Sequence, residues 1–229
     1  MDGATQDGKM GMQRLVDRSE EFDSALAACF QEHDVVLNYD DPRYERSWLA
    51  CMASLQHARM LRLAFVSGSP ISGAALMRLQ FEALLRAAWL CHAAAPDQVE
   101  TLARSLDLDA EQAAKRLPGP QDMLAAVERT APPSLSAPLN EFNQYHRHAL
   151  NSFVHSGIHA LHRTSEGFPL DLALKLIAMS NGLLHMAYRM FASLLSSQEL
   201  VDRVTQAYLP YQDCLTMIDS KKSVVQSAG

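Results

Sequence analysis

The sequence predicts an all-α protein, an up-and-down bundle of four to five long helices with a small helical insertion. Two observations carry that expectation. Apolar residues recur at i, i+3, i+4 and i+7 over several stretches of more than twenty residues. No alternation of Val, Ile and Thr bounded by turn residues reads as a strand. The 229 residues suit one domain, expected over 13–219, with a flexible lead-in at 1–12 and a frayed tail at 220–229.

From Gln13 to about Leu37, Leu15, Phe22, Leu26, Cys29, Phe30 and Val36 form an apolar face. Asn38 to Pro42 is a turn, and Pro42 is suited to open the next helix, over about 43–66. Ser67-Gly68-Ser69-Pro70 ends that helix and starts another. The third helix, about 70–95, is apolar almost all round, as a central helix is. Arg78, Glu82 and Arg86 lie along it at i, i+4 and i+8, either as an exposed ion-paired stripe or as a charged stripe turned inward.

Residues 96–138 read as the insertion, with short helices near 97–105, 109–117 and 121–130 and a Pro-rich loop at 131–138. A helix over about 139–163 follows, then a strongly apolar one over about 170–196 carrying the polar pair His185 and Arg189, and a final short helix from Gln198. Trp48 and Trp89 are expected in the core, as are the four widely spaced cysteines, which form no CxxC pair.

The net charge of −6 and pI near 5.8 argue against broad, non-specific nucleic-acid binding, so no DNA partner is expected, while a local basic patch is compatible with RNA. No apolar run reaches the ~20 residues of a membrane span, and the first residues hold no apolar signal segment. A cytoplasmic protein without membrane contact is the expectation.

Glu141 to Arg163 holds five of the nine histidines: His146, His148, His155, His159 and His162. At 100° per residue on one helix, His148, Asn151, His155, His159 and His162 share a narrow face opposite Leu150, Phe153, Val154, Gly157 and Leu161. Imidazoles in that pattern suit hydrogen bonding, proton transfer or metal binding. His155, His159 and His162 have ligand spacing, with Glu82 as the candidate carboxylate, but there is no HExxH, and neither a metal nor another cofactor is expected. His33, His57 and His92 stand alone on helices as ordinary surface or boundary residues, and His146 points away from the shared face toward solvent. For acid–base cleavage of RNA, Arg147 is the candidate phosphate-binding cation, Asn151 the orienting amide and His155 the proton-transfer group.

Arg147, Asn151 and His155 on one helix of an all-α chain resemble the HEPN superfamily of prokaryotic helical domains. Arg78-x3-Glu82 together with Asn151-Ser-Phe-Val-His155-Ser-Gly157 also resembles uncharacterised bacterial helical families related to abortive-infection proteins, over roughly residues 43–195. The resemblance implies a defence or toxin-type protein and a metal-independent ribonuclease. It also implies a homodimer with the site at its interface. Two alternatives stay open beside it. One is a non-catalytic module that meets a protein partner, in which Arg78, Glu82 and Arg86 pair with His148, His159 and His162 in a buried network. The other is a metal or small-ligand site on the same face.

Overall fold

The computed structural model describes residues 2–31 and 41–216, with side chains from residue 8 onward. His33, most of the 38–42 turn and the 220–229 tail lie outside the described residues. Those described are helical, with no strand among them: α1 (Asp2–Ala28), α2 (Pro42–Val66), α3 (Pro70–His92), α4 (Pro96–Ala103), α5 (Leu108–Ala114), α6 (Pro120–Thr130), α7 (Pro133–Val154), α8 (Ile158–Glu166), α9 (Leu170–Leu194), α10 (Gln198–Gln206) and a 3-10 turn at Leu209–Cys214. None of these helices is long and apolar enough to cross a membrane.

α3 lies at the centre. It packs along α2 for most of its length and also meets α6, α7 and α9. Met77, Phe81, Leu84, Leu85 and Trp89 are buried in that order along it, which is what its all-round apolar sequence requires. Phe81 stacks on Phe142 of α7 with ring centroids 4.6 Å apart. Buried polar contacts fix the register of the inner helices. The Ser54 hydroxyl donates to the Gln80 carbonyl, the Gln80 amide to the Ser180 carbonyl, and the Ser180 hydroxyl back to Gln80 Oε1. Each of these buried side-chain groups would otherwise be unsatisfied in the core.

The turns that open α2 and α3 follow the sequence, except that the Ser69 side chain makes no cap hydrogen bond. Asp41 caps α2 by accepting from the Arg43 N–H at 2.8 Å, and Pro42 opens it. Gly68 adopts φ +77, the left-handed conformation that glycine takes without a Cβ penalty, and Pro70 starts α3.

Besides the end of α1, at Ala28 rather than near Leu37, three boundaries differ from expectation. The lead-in is helical: α1 begins at Asp2 rather than Gln13, and Gly8 lies so close to α9 that a Cβ there would stand 2.7 Å from Leu170 Cδ2. The Pro-rich segment is not a loop beyond Pro132, since α7 starts at Pro133 and continues through Pro138. A helix-interior proline forfeits a hydrogen bond at about 3 kcal/mol, and here the burial of Leu139 and Phe142 just after it offsets that cost. The third difference falls within the histidine cluster: the helix expected over 139–163 is two helices.

Candidate functional site

α7 ends at Val154, and the chain turns within three residues. His155 is the C-cap, Ser156 takes the left-handed φ of +51, and the Gly157 N–H returns to the Ser152 carbonyl at 2.7 Å. This is the Schellman closure, in which a left-handed residue satisfies the last carbonyls of a helix. The Ser152 hydroxyl then accepts from the His159 N–H at 2.9 Å and so caps α8 from the end of α7. Gly157 permits the approach, because a Cβ there would lie 2.7 Å from Ser152 Oγ. Its own backbone is ordinary, at φ −79.

The turn divides the expected face. His148 and Asn151 belong to α7, His155 to the turn, and His159 and His162 to α8, so no single helix carries all five. All five are exposed, while Arg147 is half-buried. Arg147, His148, Asn151 and His155 make no side-chain hydrogen bond to any described residue. His159 lies against the Phe153 ring, and His162 Nδ1 pairs with Glu166 at 3.0 Å on the surface. Among the described residues no three His, Cys, Asp or Glu side chains converge as a metal set, so the helical spacing of His155, His159 and His162 does not become a ligand set. His146 is half-buried against Phe142 rather than pointing into solvent, and that burial lowers its pKa.

The charged stripe of α3 also differs from the buried-network expectation. Arg78 is buried and its Nη2 donates to Glu82 at 2.6 Å within the same helix, while Glu82 and Arg86 are half-buried. Burial lowers the Arg86 pKa, with the Glu82 charge opposing it. No hydrogen bond links this stripe to the histidines, because His148, His159 and His162 face outward.

The buried polar cluster lies elsewhere, between α1, α2 and α9. Asp23 accepts from Arg59 Nε at 2.9 Å, from Arg62 Nη2 at 2.7 Å and from the Tyr188 hydroxyl at 2.7 Å. Burial alone would raise the Asp23 pKa, but the hydrogen bonds from Arg59 and Tyr188 and the charges of Arg62 and Arg59 outweigh it and hold the carboxyl below its usual range. Arg62 is 3% exposed and its Nε and Nη1 have no partner among the described residues. In sequence, Arg59 and Arg62 appear only as interruptions of an apolar pattern, which was the available signal.

A second feature absent from the sequence expectations is a cleft of about 310 Å³ enclosed by α3, the start of α7, α9 and α10. His92, Arg189 and Ser134 are among its polar lining, Met186, Met190 and Leu135 among its apolar lining. His92 therefore borders a cavity rather than standing alone on the surface. Its pKa is lowered by burial and by the nearby Arg43 charge. The neighbouring His185 is held by the Val204 carbonyl at 2.9 Å.

Comparison with curated proteins and with solved structures finds no match. A family match spans residues 51–217, which takes in the α7–α8 turn, the cleft and both arginines of the Asp23 cluster, but not Asp23 itself. Covering most of the sequence, that match places the chain in the family described as Family of unknown function (DUF6988).

Proposed function

We propose that the α7–α8 surface is the working face of a HEPN-like bacterial defence or toxin-type protein that cleaves RNA without a metal, in the cytoplasm and as a homodimer. On this reading α2, α3, α7 and α9 are the long helices of an up-and-down bundle, with α4 to α6 as its insertion. The observation that carries it is the state of Asn151 and His155. They stand exposed four residues apart at the end of α7, beside half-buried Arg147, and no described side chain engages them. Groups that must meet a substrate are kept uncommitted in this way.

The chemistry follows from those groups. His155 takes the proton of a ribose 2′-hydroxyl as that oxygen attacks the adjoining phosphorus. The bond to the 5′-oxygen breaks and that oxygen receives a proton from a second His155. Arg147 balances the charge on the phosphoryl oxygens, and Asn151 orients one of them. Two imidazoles, one base and one acid, come from two copies of the chain. Tyr145, Ile158 and Leu161 are 68%, 67% and 63% exposed on the same pair of helices. They supply apolar surface for the second copy.

The second reading, a non-catalytic interaction module, is favoured by a different observation. The buried cluster of Asp23, Arg59, Arg62 and Tyr188 needs none of the histidines, so the exposed α7–α8 face is left free to meet a protein partner.

Incubation of wild type and His155→Ala with total RNA, each with and without EDTA, separates the readings. Cleavage that requires His155 and survives EDTA is the expected result. Cleavage abolished by EDTA moves the chemistry to a metal. No cleavage under either condition removes the stand-alone nuclease and leaves the interaction module.

A further inference from the structure

The cleft between α3, α7, α9 and α10 combines features that a packing defect does not. Its volume of about 310 Å³ falls at the small end of the range for small-molecule sites. Leu135, Met186, Met190 and Val201 give it apolar walls, two of them methionines whose unbranched side chains adapt to a ligand's shape. No acidic residue among those described lines it, although the chain as a whole carries a net charge of −6.

Its polar groups favour negative charge. Arg189 lines the cleft, and its Nε is buried with no hydrogen-bond partner among the described residues. That atom is shielded from the cleft as it is from solvent, so the groups a ligand can reach are the terminal nitrogens of the same guanidinium, which make no hydrogen bond to a described residue and are free to take a charged acceptor. The start of α7 adds to it. Its N-cap is Pro132, which has no capping side chain, and its first turn holds no acidic residue. The Leu135 and Ser136 N–H groups both return to the Pro132 carbonyl, whereas the N–H of Ser134, which lines the cleft, finds no acceptor among the described residues. The positive end of a 22-residue helix therefore borders the same space as Arg189. His92 adds an imidazole whose pKa burial lowers, a neutral group at pH 7 able to donate one hydrogen bond.

We propose that this cleft binds a small amphipathic carboxylate, with its head on Arg189 and the α7 N-terminus and its apolar body between Met186, Met190 and Leu135. A single guanidinium and an apolar wall suit a monoanion with a compact hydrocarbon part. A phosphate ester would call for a second cation, and the described lining includes no Lys and no second Arg. The site is independent of the ribonuclease reading: it lies at one end of α7 and His155 at the other, about 30 Å away for a helix of this length.

Isothermal titration of the full chain with octanoate, 1-octanol and inorganic phosphate tests the proposal. Octanoate should bind saturably at one site, octanol far more weakly, and phosphate not at all. Arg189→Met, which keeps the apolar stem, should weaken octanoate by about tenfold or more, the worth of a hydrogen bond to a charged group, and leave octanol unchanged. Ser193 is an exposed residue of the lining, so Ser193→Leu should fill the cleft and abolish binding without loss of Tm, which keeps the test alive should Arg189→Met fold poorly. Equal binding of octanoate and octanol, octanoate binding indifferent to both substitutions, or no octanoate binding at millimolar concentration would each overturn the proposal.

Discussion

Asp23 Oδ2 accepts a hydrogen bond from Arg62 Nη2 at 2.7 Å, and neither side chain is more than 8% exposed. The two residues are 39 apart in sequence and belong to α1 and α2. Asp23→Ala would leave Arg62 buried with no counter-charge beyond the reach of solvent. Breaking one side of a buried pair costs about 3–5 kcal/mol, and a loss of that size is expected in urea unfolding. Arg59 touches the same carboxylate, but its side chain is 47% exposed, so Arg59→Met should cost less than about 1.5 kcal/mol. A cost under 1 kcal/mol for Asp23→Ala would refute the assignment of this pair as a buried anchor.

The same carboxylate sets a pH dependence. Its pKa is depressed on folding, so the folded chain binds fewer protons than the unfolded chain in acid. The stabilisation is complete above the usual aspartate value of about 4 and is lost as pH falls below it through the lower folded value. Tm measured from pH 5 down to pH 2 should fall less steeply in Asp23→Asn than in wild type. Equal slopes would show that the Asp23 carboxyl is not held low.

The helical class and several boundaries were legible in the sequence because they depend on local chemistry. Pro42, Gly68 and Pro70 act on their own neighbours, and the apolar periodicity of α3 and α9 reports burial that the structure bears out. The break between α7 and α8 was also written locally, in Ser156-Gly157, but the regular spacing of histidines on either side reads as one continuous helix. Pro138 misleads in the opposite direction, since it signals a loop where the packing of Leu139 and Phe142 maintains a helix. The Asp23–Arg59–Arg62–Tyr188 cluster and the Arg189 cleft join residues from three or four helices. Nothing in a single sequence says which polar interruption of one helix meets which of another.

The α7–α8 turn rests on one contact that a pair of substitutions can isolate. Gly157→Ala places a Cβ 2.7 Å from Ser152 Oγ and should destabilise by about 1–3 kcal/mol, as overpacking does. Ser152→Ala should cost about 1 kcal/mol through loss of the α8 cap. In the double variant the hydroxyl that clashes is absent, so Gly157→Ala should cost less there than in wild type. Strict additivity in guanidinium unfolding would mean that the two side chains do not meet.

His185 gives a second pH dependence, in a milder range. Burial lowers its pKa, the Val204 carbonyl partly opposes this, and the Arg189 charge adds to the lowering. An imidazole depressed on folding is protonated more readily in the unfolded chain, so stability present above its ordinary value of about 6.5 declines as pH falls through the window below it. His57, His92 and His146 are lowered by burial as well and add to the same slope. Tm should therefore decline between pH 7 and pH 5, and His185→Gln should remove part of that decline. A Tm that is flat over this range would contradict the neutral, half-buried state of these imidazoles.

The exposed histidines predict the opposite balance between stability and activity. His155 and Asn151 are exposed and bound to no described side chain, so His155→Ala and Asn151→Ala should each change unfolding free energy by no more than about 0.5 kcal/mol. If the α7–α8 face cleaves RNA, both should nonetheless suppress cleavage, since activity depends on groups that stability does not use. The apolar residues beside them extend the test. Ile158 and Leu161 are more than half exposed, so an aspartate at either position should leave the Tm of the monomer nearly unchanged. If two copies meet through this face, Leu161→Asp buries a charge in their contact and should lower both the sedimentation coefficient and the cleavage rate. Loss of association with cleavage retained would place the active unit in the monomer and remove the second imidazole from the mechanism.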